Sequence, residues 1–211
     1  MEKKAANWTK REINFFKRLN EPIKIQNFLD RIEYNPLVET SSPRWIIKEK
    51  RANCFEGALF AAAALRQIGH KPLLVDLTAT NDDDHVIAVF KKKGYWGAVA
   101  KSNLTTLRFR EPVYKSLREL VMSYFNFFFN TLGQKTFRSY SLPLNLSQFD
   151  ERNWMTTDED LEYISSRLNQ RKHFKIITPQ MTRALQKVGK NLLKAVLSAS
   201  EKTSLYKPKK G

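Results

Sequence analysis

Cys54 is the only cysteine in a chain of 211 residues, and it stands where a helix should begin. The polar run Lys48–Asn53 precedes it, and Phe55-Glu56-Gly57-Ala58 leads into an apolar, alanine-rich stretch. A helix start gathers unpaired N–H groups and the positive end of the helix dipole. A thiol placed there is biased toward thiolate, the form that attacks a carbonyl. Downstream, Asp82-Asp83-Asp84-His85 ends an acidic loop and opens an apolar run, and Ser102-Asn103 follows the next one. Cysteine, then histidine, then a polar residue is an order suited to nucleophilic catalysis. Cys54 would attack, His85 would carry the proton, and Asn103 or Ser102 would orient the ring. The competing reading of Cys54 is a small buried hydrophobe, and of His85 a structural histidine at a strand start.

The elements that must position these residues follow from periodicity. Trp8, Ile13, Phe16 and Leu19 predict a helix over 7–19. A second is predicted from Pro22 to about Glu33, with proline at its first position. The stretch from Cys54 to Ile68 is apolar on nearly every side, which predicts a buried helix stopped by Gly69. Strands are predicted over Lys71–Thr78, His85–Lys92 and Tyr95–Ser102, the last two joined through Lys93-Gly94. Residues 113–131 predict an aromatic helix, Thr136–Leu142 a strand, and Pro143–Trp154 irregular chain. Asp158-Glu159-Asp160 before Leu161, Ile164 and Leu168 signals a helix start, and a last helix is predicted over 179–198. The fold class expected from this order is α+β, with the Cys54 helix packed on an antiparallel sheet. The organisation expected is an N-terminal helical segment (1–43), a core (44–155), C-terminal helices (156–198) and a flexible basic tail (199–211).

Between Cys54 and Pro72 the residues carry a resemblance. Cys54-Phe55-Glu56-Gly57-Ala58, then Ala64-Leu65-Arg66-Gln67-Ile68-Gly69-His70-Lys71-Pro72, resembles the nucleophile helix of transglutaminase-like proteins, within the papain-like cysteine enzymes. His85–Phe90 followed by Gly94-Tyr95-Trp96 resembles that family's next block, so the likeness covers about Arg44 to Asn103. It implies a transglutaminase-like core and a Cys-His site acting on an acyl or amide bond, as hydrolase, transglutaminase or acyltransferase, with no cofactor. The family carries aspartate about four residues after the tryptophan. Here that position is near Ala100, and the nearest polar side chains are Lys101, Ser102 and Asn103. Asparagine fills the role in Cys-His-Asn sites, and serine accepts more weakly.

Composition bounds the rest. One cysteine excludes an internal disulfide and a cysteine-only metal site. Met1–Trp8 lacks the apolar core of a signal peptide, and no run approaches the roughly 18 apolar residues of a spanning helix, so a cytoplasmic protein is expected. The net charge is +16, and eleven lysines and arginines face a single acid, Glu201, between Arg171 and Gly211. In the last predicted helix Arg183, Lys187, Lys190 and Lys194 form a basic stripe. Weak polyanion binding by this region is the expected partner property, and a catalytically inactive nucleic-acid or polyanion binder is the alternative function. Asp82–Asp84 read as a solvated loop against a cation site. Arg108, Arg110, Arg118 and Arg138, set among aromatics, read as packed arginines against a pocket for an anionic substrate. The substrate expected of the Cys-His site is a peptide, amide or ester.

Overall fold

The computed structural model describes residues 7–36 and 40–209. Of the expected N-terminal segment, residues 1–6 and 37–39 lie outside the described residues, as do 210 and 211 of the expected tail. The chain forms α1 (Lys10–Arg18), α2 (Pro22–Arg31), β1 (Glu33–Tyr34), α3 (Pro43–Glu49), β2 (Arg51–Ala52) and α4 (Cys54–Gln67). Next come β3 (Leu73–Ala79), β4 (His85–Lys92), β5 (Tyr95–Val99), β6 (Arg110–Tyr114) and α5 (Leu117–Met122). The C-terminal part holds β7 (Phe137–Ser141), β8 (Leu144–Asn145), α6 (Glu162–Asn169), β9 (His173–Lys175), α7 (Pro179–Ala184) and α8 (Lys190–Ser198). Strands β3 to β9 form one antiparallel sheet in the order β6-β5-β4-β3-β7-β9, with β8 also paired to β3. The short β1 and β2 pair in parallel beside it. The fold is thus mixed α and β, with Cys54 on a helix and an antiparallel sheet.

Strand alternation sorts the core into two layers. Leu74, Val86, Ala88 and Phe90 face α4 and its neighbours, where Phe16, Ile25, Leu29, Ile46 and Phe60 are buried. Val75, Leu77, Ile87 and Val89 face the other way, against Leu120, Tyr124, Phe128 and Phe137. Helix α4 is buried from Glu56 through Leu65, as an apolar-all-round helix must be. The β4–β5 hairpin turns at Lys93 and Gly94, whose φ angles of 51° and 88° match the two left-handed positions of a type I′ turn.

Two expectations are corrected. Residues 113–131 are not one helix: β6 occupies 110–114, only 117–122 are α-helical, and a 3-10 turn follows at Phe125–Phe127. Pro112 and the edge of β5 draw this segment into the sheet, and packing overrides its helical spacing. The last helix is also broken. Leu185 is extended, with φ −63° and ψ 131°, and Gly189 caps a new helix. Arg183 and Lys187 therefore do not share a helix face with Lys190 and Lys194. A short strand, β9, was not anticipated, and it brings His173 to the sheet edge.

Gly57 allows α4 to reach its depth. A Cβ there would stand 2.2 Å from the Lys101 Cβ. Lys101 is only 3% exposed, and its Nζ donates to Leu29 O at 2.8 Å and Ile32 O at 2.6 Å. Those are the last carbonyls of α2, left unpaired by helix geometry and carrying its negative dipole end. Burial still pushes the ammonium down to about 8. Gly57→Ala is expected to destabilise the protein by about 2–3 kcal/mol in urea denaturation, because neither backbone nor the anchored Lys101 can yield. A shift under about 0.5 kcal/mol would show that α4 and β5 can part freely.

Candidate functional site

Asn53 caps α4: its side chain accepts from the Glu56 N–H while the Glu56 carboxylate accepts from the Asn53 N–H at 2.9 Å. This reciprocal capping box fixes the chain direction at Cys54. The same buried carboxylate accepts from Asn35 Nδ2 at 2.9 Å and from the Ser41 N–H at 3.1 Å. Glu56 thus binds the α4 start to the segments on either side of 37–39.

Cys54 and His85 line one pocket, together with Tyr34, Asp82, Asp83, Asp84, Ser102, Asn103, Leu107 and Phe128. The thiol lies deep in its wall while keeping part of its surface open to it. Sγ is 3.9 Å from the Asp84 carbonyl and also meets the Val86 and Phe55 N–H groups. It therefore touches main chain on both sides of His85. The sequence argument expects a thiol biased toward thiolate. Instead burial, aided by the negative field of Asp83 and Asp76, pushes it up to about 11 against the two N–H groups. In this arrangement the thiol is neutral at pH 7.

His85 is 4% exposed. Its Nε2 donates to the Leu107 carbonyl at 2.8 Å, and its ring meets Phe128 edge-on. A carbonyl can only accept, so the proton sits on Nε2 and Nδ1 is the basic nitrogen. Burial, with Arg110 nearby, brings the imidazole down to about 4. Among the described residues the thiol and the imidazole do not hydrogen-bond each other. By alternation along β4, His85 shares the face of Ile87 and Val89, while Val86 faces α4. Cys54 and His85 line one pocket because both stand at the end of the sheet.

The side chains of Ser102 and Asn103 line the pocket but bond elsewhere. Ser102 Oγ accepts from the Leu104 N–H at 3.1 Å. Asn103 pairs with the main chain of Glu201 through both its amide atoms. The partner that orients His85 is a backbone carbonyl, which no residue type announces in a sequence. Tyr34 is also absent from the sequence reading. Its hydroxyl meets the Cys54 N–H, and burial raises it well above an ordinary phenol.

The pocket wall is acidic. Asp82 accepts from Thr136 Oγ1 at 2.7 Å, and Asp84 from the Ala79 N–H at 2.7 Å. Burial raises Asp82, Asp83 and Asp84, Asp82 to about 6. No arginine lines the pocket among the described residues. Arg108 bonds Asp30, Arg110 stacks on Tyr124 and bonds Thr106 O, Arg118 bonds Ile176 O and Arg138 bonds Phe137 O. Nearby, Asp76 Oδ2 lies 3.0 Å from His173 Nε2, and His173 Nδ1 donates to Arg171 O. With Nδ1 committed, that pair must share one proton. Burial of Asp76 raises its carboxyl to about 6.

Compared with known protein families and with curated proteins, the chain matches none.

The depressed His85 value carries a sign. The folded protein holds the ring neutral down to about pH 4, whereas the unfolded chain takes up a proton near its ordinary 6.5. His85 therefore costs stability as pH falls from about 6.5 to about 4. His85→Gln keeps a donor for Leu107 O without a titrating group. Relative to wild type it should gain on the order of 2–3 kcal/mol across that window, read by urea denaturation at a series of pH values. A pH-independent difference would mean that the ring is not buried neutral.

Proposed function

We propose that this protein is a transglutaminase-like, cysteine-dependent enzyme acting on an acyl or amide bond, with Cys54 as nucleophile and His85 as acid–base partner. The observation that carries the reading is the shared pocket. Its lone thiol opens a buried helix, and its histidine is held as the Nε2–H tautomer, leaving Nδ1 to take a proton. Leu107 O performs the orienting role that a carboxylate or asparagine has in related sites. The Tyr34 hydroxyl accepts from the Cys54 N–H and can turn its own proton toward an oxyanion at the start of α4. The Val86 and Phe55 N–H groups favour the thiolate once water or substrate enters. In the state described both partners are neutral and apart. Catalysis requires Nδ1 and Sγ to approach within about 3 Å.

The test is acyl transfer to Cys54 from an activated ester such as p-nitrophenyl acetate, followed by intact mass and peptide mapping. Wild type is expected to gain one acetyl group on Cys54 that hydroxylamine removes. Cys54→Ala should gain none, and His85→Ala should slow acylation at least 100-fold at pH 7. Equal acylation of wild type and His85→Ala, or labelling of Cys54 only above pH 9, would make the thiol structural.

Weak polyanion binding by the C-terminal region is a second, independent property. Lys187, Lys190 and Lys194 are exposed, and none forms an ion pair among the described residues. Retention on heparin should fall steeply with salt.

A further inference from the structure

Residues 201–209 run across the mouth of the Cys54–His85 pocket, and two asparagines bind their main chain. On one rim Asn103 Nδ2 donates to Glu201 O at 2.9 Å, and Asn103 Oδ1 accepts from the Glu201 N–H at 2.7 Å. On the other, Asn81 Nδ2 donates to Lys209 O at 3.1 Å, and Asn81 Oδ1 accepts from the Lys209 N–H at 2.8 Å. An amide side chain meeting a peptide unit in this way satisfies both of its polar groups and ignores its side chain. Between the clamps Ser204, Leu205 and Tyr206 line the pocket.

The Asn81 clamp is built into its loop. Asn81 adopts φ 58°, and its carbonyl accepts from Asn130 Nδ2 at 3.1 Å. Asn130 is buried and itself holds the Leu132 and Gln134 N–H groups. The wall beside the clamp is formed by Asp82, Asp83 and Asp84. The segment crossing it carries Lys207 and Lys209, both exposed and without an ion pair among the described residues. Charge therefore favours approach, while the clamps set register. The docked segment also leaves Ser204 Oγ buried with no hydrogen-bond partner, which weakens its hold.

We infer that the cleft is a binding site for a lysine-bearing polypeptide segment, which residues 201–209 of the same chain fill in cis. A segment of the same chemistry in trans binds where the tail lies, by displacing it. The inference rests on the proposed function only for the purpose of the cleft, and its test measures binding without chemistry.

The experiment uses the full chain carrying Cys54→Ala, with a fluorescein-labelled peptide of residues 200–209 followed by anisotropy. Glu201→Pro with Lys209→Pro removes the two N–H groups that the clamps read and leaves the cleft intact. Leu205→Asp with Tyr206→Asp releases the tail by a separate route, and thermal unfolding checks that each variant folds. The peptide is expected to bind both released variants at least tenfold more tightly than the Cys54→Ala chain. Adding Asn81→Ala and Asn103→Ala to a released variant should abolish that binding. A peptide with Lys207 and Lys209 replaced by glutamine should bind several-fold more weakly at 20 mM salt than the native one, and the two should converge at 500 mM, as screening requires. Equal affinity for closed and released chains, or binding indifferent to Asn81 and Asn103, would overturn the inference. Lysine-independent affinity at low salt would overturn its charge component. Failure here leaves the acylation test standing, and failure there leaves this one.

Discussion

The buried Glu56 carboxylate is the contact on which the site's geometry depends. It is 0% exposed, and three donors from separate segments converge on it: Asn35 Nδ2 and the Ser41 and Asn53 N–H groups. A buried charge is tolerable only when hydrogen bonds replace its water. Here the replacement donors belong to the chain between β1 and α3 and to the cap of α4. The chain before the helix is thus tied to the helix start, and Cys54 and Tyr34 are brought to one wall. Removing the carboxylate would take from these three donors the acceptor that they share.

A second buried polar contact lies beside α4. Lys101 is buried beside Gly57 and directs its ammonium at the last carbonyls of α2. It therefore adds little positive field to the cleft, which stays acidic in a protein of net charge +16. That wall has a direct electrostatic consequence. Asp83 and Asp76 raise the thiol, and burial neutralises both it and the imidazole. The covered pocket holds an uncharged pair, and a low-dielectric site without substrate favours that state. Opening it to water reverses the largest contribution to both shifts.

The C-terminal chain supplies the cover. After α8, whose approach at Gly133 is marked by the Val188 N–H to Gly133 O bond of 2.9 Å, the segment crosses from Asn103 to Asn81. A free tail is the expectation from its lack of apolar periodicity. That argument fails because the docking uses main-chain bonds to asparagine side chains, which leave no period in the sequence of the tail.

The sequence by itself determined the local elements around the nucleophile. The α4 helix, its cap, the stop at Gly69, the β4–β5 hairpin and its turn all follow from short-range rules of capping, periodicity and turn chemistry. It also placed Cys54 and His85 at the ends of neighbouring elements, which is why they line one pocket. Tertiary structure alone decided what each group faces. The spacing of 113–131 and 179–198 suits helices, yet sheet pairing and an extended Leu185 divide both. Leu107 O rather than Asn103 or Ser102 orients His85, because a carbonyl is common to every residue and only the fold says which one arrives. Asn103 faces the tail from one rim and Asn81 from the other, separated in sequence from their partners by 98 and 128 residues. The thiol's rise to about 11 likewise depends on how deeply the chain packs around it, and no local pattern carries that information.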